Sequence, residues 1–96
     1  MPATVHAKRR TVERWRGMKL TAGRIASMID DIQNARSRLL ERYTHTKSVH
    51  AVKAGRQWIP VVYQSGKIIT VLPPTALCRL APDLYWQNLG RNVVQL

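Results

Sequence analysis

Residues 57–72 read QWIPVVYQSGKIITVL, and this stretch decides the fold. The segments before and after Ser65 and Gly66 are rich in β-branched and aromatic residues, which favour strands. A Ser-Gly pair between two such runs is typical of a two-residue hairpin turn. The pattern therefore predicts an antiparallel hairpin made of strands 57–64 and 67–72.

The register of this hairpin predicts which side chains face one another. With a two-residue turn, Val62 is expected to face Ile69, and Val61 is expected to face Thr70. Pro60 lacks the N–H that a sheet ladder uses. It is therefore expected at a bulge, or at a position where its nitrogen does not take part in a hydrogen bond with the neighbouring strand.

The N-terminal segment predicts a first helix over residues 4–16. Thr4 is a suitable N-cap, because its hydroxyl can accept a backbone N–H of the first turn. Gly17 is a suitable C-terminal stop. The apolar residues of this helix, which are sparse but lie near one face, are Val5, Val12 and Trp15.

A second and clearer helix follows, with Thr21 as its predicted N-cap. Its apolar residues recur at the i, i+3, i+4, i+7 spacing of an amphipathic helix. The pattern allows this helix to stop near Ala35 or to continue through Leu39 and Tyr43. The apolar residues of this helix are Ile25, Met28, Ile29 and Ile32.

The rest of the chain predicts two further strands and a helical tail. Residues 39–43 and 48–53 are short segments that suit strands before the hairpin. The Pro-Pro pair at 73–74 is expected to end the sheet. A short helix is predicted over residues 83–89, with Gly90 as its stop.

These elements together predict an α+β fold. Two N-terminal helices would pack on a three- to four-stranded antiparallel meander, followed by a short C-terminal helical tail. A chain of 96 residues is expected to form one domain. Its core would span about residues 4–74, with a C-terminal extension over 75–96.

The charge of the chain points to a polyanionic partner. It carries 16 Lys+Arg against 5 Asp+Glu, a formal net charge of +11. Such a surface attracts nucleic acid first and acidic proteins second. Cys78 is the single cysteine, which predicts no disulfide framework and a reducing, cytoplasmic location. No apolar stretch suits a bilayer, and no metal-ligand or nucleotide-cofactor motif is present.

Three ionisable side chains of the first helix share one spacing. His6, Arg10 and Arg14 are four residues apart, so they form one stripe along the helix. Cleavage of RNA at a 2′-OH needs a proton acceptor, a proton donor and cations that stabilise the phosphorane charge. Histidine transfers protons near neutral pH, and arginine binds phosphate in a bidentate manner. Thr70 or Tyr63 of the hairpin is a candidate hydrogen-bonding partner.

The order of these features resembles that of a known superfamily. A His-Ala-x-x-Arg-x-x-x-Arg helix is followed by a Thr-capped amphipathic helix and by the hairpin sequence WIPVVYQSGKIITVL. This is similar to the small ribonuclease toxins that include RelE, barnase and the effector domains of bacterial polymorphic toxins. The likeness covers about residues 5–73.

The resemblance implies a metal-independent endoribonuclease that cleaves RNA by general acid–base chemistry, without a cofactor. It also implies an acidic antitoxin or immunity protein as a partner besides RNA. Carried over by position, it assigns catalysis to His6, Arg10, Arg14 and Thr70. The further basic residues expected to contact RNA are Lys8, Arg9, Arg16, Lys47, Lys53 and Arg56.

Two other functions are compatible with the same sequence. The first is a non-catalytic nucleic-acid-binding protein that uses the basic stripe only for phosphate contacts. The second is a small phage-type inhibitor that docks on an acidic host protein. Replacement of His6 by alanine distinguishes the enzyme from both, because only cleavage needs the imidazole.

Overall fold

The computed structural model describes residues 3–15 and 18–94 of the chain. The elements are α1 (Val5–Arg14), α2 (Ala22–Gln33), β1 (Arg38–Arg42), β2 (Lys47–Ala54), β3 (Gln57–Gln64), β4 (Lys67–Val71), α3 (Pro74–Leu80) and α4 (Pro82–Val94). The strands form one antiparallel sheet in the order β1-β2-β3-β4, which confirms the predicted α+β meander. None of these helices is long and apolar enough to cross a membrane.

The β3–β4 hairpin turns at Ser65 and Gly66, as the sequence predicted. Their φ angles are 49° and 81°, so both residues lie in the left-handed region. Two-residue turns with this backbone match the right-handed twist of the flanking strands. Glycine adopts the conformation without a steric penalty, which suits it to the second position.

The predicted register of this hairpin is wrong by one residue away from the turn. Val62 lies opposite Thr70 instead of Ile69, and Val61 lies opposite Val71. The cause is a bulge in which Ile69 is an extra residue of β4. Because a slip of one residue moves a side chain to the other face, Thr70 shares a face with Val62 and not with Val61.

Pro60 lies within β3, and the carbonyl that its missing N–H would have bonded finds another donor. It pairs with Ala51 of β2, and its carbonyl accepts the Leu72 N–H at 2.9 Å. In an antiparallel ladder, the N–H and C=O of one residue face the same neighbour. The absent donor therefore faces Leu72, whose carbonyl accepts instead from the Trp15 indole at 2.8 Å.

Both predicted N-caps are confirmed. The hydroxyls of Thr4 and Thr21 each accept a backbone N–H three residues further on, at 3.0 Å and 3.2 Å. The first helix ends at Arg14, two residues before the predicted end, and the predicted stop Gly17 lies outside the described residues. The second helix ends at Gln33, close to the earlier of its two predicted ends.

The main hydrophobic core lies between α1, α2 and one face of the sheet. Ala7 of α1 is fully buried, and its small side chain allows the helix to approach the sheet closely. Met28 of α2 and Ile68 of β4 are also fully buried. The other buried members include Trp15, Ile25, Val52, Ile59, Val61 and Val71.

The C-terminal tail differs from the prediction, because it forms two helices instead of one. Pro74 begins α3 and does not only end the sheet, since a first-turn residue needs no N–H. Gly90, the predicted stop, lies inside α4. A glycine inside a helix costs about 1 kcal/mol, which packing can offset. The residues that pack these helices on the second face of the sheet are Ala51, Leu77, Ala81 and Leu84.

Candidate nucleic-acid interface

Helix α1 is fixed along the outer edge of β4. Thr4 Oγ1 donates to the Ile69 carbonyl at 2.7 Å, near the start of the helix. Arg14 Nη1 donates to the Val71 carbonyl at 2.9 Å, at its end. These two hydrogen bonds lie on either side of Thr70 along the strand. The helix with the basic stripe therefore lies beside the strand of the closing hairpin.

The three ionisable side chains of the predicted stripe have different surroundings. His6 is exposed, and it makes no hydrogen bond or ion pair with any described residue. Arg10 Nη1 binds Glu13 Oε2 at 2.8 Å. Arg14 is half-buried and bound to the backbone of β4. Only Arg14 of the three contacts the hairpin through a hydrogen bond.

Thr70 does not offer its hydroxyl to a ligand at the surface. Its Oγ1 atom is buried and has no hydrogen-bond partner among the described residues. The bulge in β4 turned its side chain away from the face on which Val61 lies. Tyr63, the alternative partner, accepts instead from Gln33 of α2 at 3.2 Å. Neither residue is hydrogen-bonded to His6.

Two of the predicted RNA-binding lysines lie beside aromatic rings. Lys47 Nζ is 5.7 Å from the centroid of the Tyr43 ring, at the start of β2. Lys53 Nζ is 5.4 Å from the centroid of the Trp58 ring, near the end of β2. Since the two lysines are six residues apart on one strand, they share a face and lie about 20 Å apart. We call these two contacts the lysine–aromatic pairs.

The remaining predicted RNA contacts are distributed over α1 and the β2–β3 turn. Lys8 is half-buried and Arg9 is exposed on the helix. Arg56 is exposed in the turn between β2 and β3. Arg16 lies outside the described residues. The structure thus leaves accessible basic side chains both on α1 and along β2.

The few acidic residues are already engaged by a small number of arginines. Arg36 holds both Asp30 and Asp31, and Arg38 holds Asp83 at 2.7 Å. With the Arg10–Glu13 pair, three arginines engage four of the five Asp and Glu side chains in the ion pairs of the described residues. The basic residues without an ion pair to any described carboxylate include Lys8, Arg9, Lys47 and Lys53.

A group that the sequence did not reveal lies around His50 of β2. Its Nε2 atom is 2.8 Å from Ser48 Oγ, and its Nδ1 atom is 3.1 Å from Ser37 Oγ. The Tyr63 ring stands edge-on to the imidazole, with centroids 6.0 Å apart. Spacing of two on a strand places Ser48 and His50 on one face. Ser37 precedes β1, and only the tertiary fold brings it close.

The surroundings of His50 favour its neutral form. Burial, and secondly the positive charge of Arg42, lower the pKa of His50 below its ordinary value of 6.5. A neutral imidazole has one donor and one acceptor nitrogen, so one serine donates to it and the other accepts. Ser48 is 7% exposed, and it would lose its hydrogen bond if the ring were removed.

Replacement of His50 by alanine is expected to lower the free energy of unfolding by about 1–3 kcal/mol at neutral pH, because Ser48 would be left buried without a partner. The difference between wild type and variant should shrink as the pH falls below 6.5. The unfolded chain then takes up a proton that the folded wild type resists, and this destabilises only the wild type. Urea unfolding at several pH values measures both effects. His45→Ala, at an exposed turn position, is the control, and equal effects of the two substitutions would contradict the prediction.

Comparisons with protein-family models, with curated proteins and with solved structures find no match. In the part of the chain that the structure describes, no group of three or more histidine, cysteine, aspartate or glutamate side chains gathers at a position that could hold a metal ion.

Proposed function

We propose that the protein binds single-stranded RNA through its basic surface and does not cleave it. The observation that carries this proposal is that Lys8, Arg9, Lys47 and Lys53 have no ion pair with a described carboxylate, whereas the ion pairs of the described residues engage four of the five Asp and Glu side chains with three arginines. Most of the positive charge is thus left without a described carboxylate partner. A polyanion that contacts these side chains releases its condensed counterions, which provides the driving force for binding.

The lysine–aromatic pairs support single-stranded RNA over a duplex. Bases of a single strand can stack on aromatic side chains, and this stacking tolerates any sequence. Tyr43 is 49% exposed, so its ring is available to a base. Lys47 and Lys53 lie beside the rings and can contact the phosphates that flank the stacked bases. The exposed Cys78 and the absence of a second cysteine support a reducing location, for which we propose the cytoplasm.

A metal-independent endoribonuclease is the second candidate. The position of α1 favours it, because the helix is bonded to β4 on both sides of Thr70. An acidic antitoxin or immunity protein would be its natural partner. The burial of the Thr70 hydroxyl and the lack of any contact that orients His6 support binding over cleavage.

One experiment separates these functions. The protein is incubated with a labelled single-stranded RNA in EDTA, and both anisotropy and RNA length are measured. We expect binding, intact RNA and no change in His6→Ala. Cleavage that disappears in His6→Ala, by the 10²- to 10⁴-fold that general acid–base groups contribute, would instead establish the ribonuclease. No binding and no cleavage would rule out both functions, and a separate pull-down that captures one acidic protein and no RNA would then support the inhibitor.

A further inference from the structure

A pocket of about 210 Å³ lies where α1, β3, α3 and α4 meet. Arg14 and Trp15 line it from the end of α1, and Gln57 lines it from the start of β3. Tyr85 and Asn88 line it from α4. The pocket thus combines one cation, two aromatic rings and two amides, and it has no acidic lining residue among those described.

Two of the walls are held in place by hydrogen bonds to the backbone. The Trp15 indole donates to the Leu72 carbonyl at 2.8 Å. Asn88 accepts from the Trp58 N–H and donates to the Trp58 carbonyl, both at 2.9 Å. A site whose walls are already fixed loses little conformational entropy when it binds a ligand. The pocket is therefore preorganised.

The guanidinium of Arg14 is the charged group of the pocket. It has five N–H donors, and its hydrogen bond to the Val71 carbonyl uses one of them. It forms no ion pair with a described carboxylate. The planar arrangement of the remaining donors suits the oxygens of a phosphate.

The other lining groups suit a planar heterocycle. The half-buried Tyr85 presents aromatic surface on which a base can stack, and the buried Trp15 forms part of the pocket floor. The Gln57 amide can donate to and accept from the edge of a base. The volume is below the 300–1,000 Å³ that is usual for drug-sized ligands, so it suits one ring and not two.

We infer that this pocket binds a single nucleotide of the RNA, with its base on the Tyr85 ring and its phosphate on Arg14. The inference rests on the proposed function for the identity of the polymer. The pocket itself can be tested with a mononucleotide, which does not need the lysine–aromatic pairs. Failure of the pocket and failure of RNA binding are thus distinguishable.

The test is an NMR titration of the full chain with uridine monophosphate, with uridine and with inorganic phosphate. We expect the monophosphate to shift the Trp15 indole N–H and the Asn88 side-chain N–H₂ signals. Uridine and phosphate alone should bind at least about fivefold more weakly, because each lacks one of the two contacts. Tyr85→Leu should weaken the monophosphate at least about fivefold for the same reason. Leu39→Ala, at an exposed apolar residue of β1 outside the pocket, should leave its affinity unchanged.

Three results would overturn the inference. The first is binding of an RNA strand by the wild type with no shift of the two pocket signals by millimolar monophosphate. The second is equal affinity for phosphate and monophosphate, which would identify a simple anion site. The third is equal affinity of the folded Tyr85→Leu variant and the wild type. If the monophosphate binds and the RNA strand does not, nucleotide binding in the pocket is supported and the proposed RNA-binding function is wrong.

Discussion

Reversal of the charge at both Lys47 and Lys53, in the Lys47→Glu/Lys53→Glu variant, is expected to weaken single-stranded RNA binding at least about 25-fold at about 0.1 M salt. Each phosphate contact to a single strand contributes a slope of about −0.7 in log affinity against log salt. One contact is therefore worth about fivefold at this salt concentration relative to 1 M, and two are worth about 25-fold. Repulsion between the new carboxylates and the phosphates increases the loss. Anisotropy of a labelled RNA measures it.

The matched control reverses two arginines that lie beside no aromatic ring among the described residues. Arg24→Glu/Arg79→Glu changes the net charge by the same amount, and Arg79 is exposed on α3. Its effect should be several-fold smaller. The Lys47→Arg/Lys53→Arg variant should retain affinity, because arginine also binds phosphate and stacks on rings. Equal losses in the two reversal variants would show that net charge alone governs binding, against the role given to the lysine–aromatic pairs.

Truncation of Ile68 to alanine is expected to lower the free energy of unfolding by about 2–5 kcal/mol. Ile68 is fully buried on β4, and Ala3 pairs with it just before α1 begins. The lost side chain leaves a cavity between α1 and the sheet that the neighbours can fill only in part. Since a chain of this size has a total stability of about 5–14 kcal/mol, the loss is a large fraction of the whole. Urea unfolding measures it.

Two further variants serve as controls for the loss of unfolding free energy in Ile68→Ala. Ile68→Val removes one methylene and should cost about 0.5–1.5 kcal/mol. Val5→Ala removes apolar atoms from α1 at a site that is 73% exposed, so its effect should be within about 0.5 kcal/mol. A loss below about 1 kcal/mol in Ile68→Ala would mean that α1 is not packed on β4 as described.

The local signals in the sequence predicted most of the secondary structure. Threonine caps, an amphipathic spacing and a Ser-Gly turn act over a few residues, so Thr4, Thr21 and the β3–β4 turn could be predicted. The Pro-Pro pair at 73–74 predicts only the end of the sheet, whereas its second proline begins α3. Proline suits a helix start equally well, and Leu77 and Leu84 supply the apolar face that stabilises the two helices there.

The arrangement of the candidate site could be predicted less well, because it depends on contacts between distant residues. The bulge at Ile69 changes the face of the sheet on which Thr70 lies, and no short sequence motif predicts such a bulge. Ser37 approaches His50 only because β1 folds back on β2. The acidic residues meet their arginines partly within one segment, as in Arg10 with Glu13, and partly across the fold, as in Arg38 with Asp83.

The net charge, by contrast, was visible in the sequence, and the structure explains how it is distributed. Among the described residues, the ion pairs join three arginines to four carboxylates and leave Lys8, Arg9, Lys47 and Lys53 without a carboxylate partner. Exposed pairs of this kind contribute little to stability, so their main consequence is for the residues that they leave unmatched. Those residues are available to a polyanion.

The salt dependence of RNA affinity is the most direct measurement of whether these unmatched cations bind RNA. It is obtained with the unmodified protein and a labelled single strand, from about 0.05 to 0.2 M salt. Contacts from Lys8, Arg9, Lys47 and Lys53 predict a slope of about −2.8 or steeper, at about 0.7 per contact. A slope shallower than about −0.7, or no binding at the lowest salt, would contradict the proposal that the protein is an RNA-binding protein.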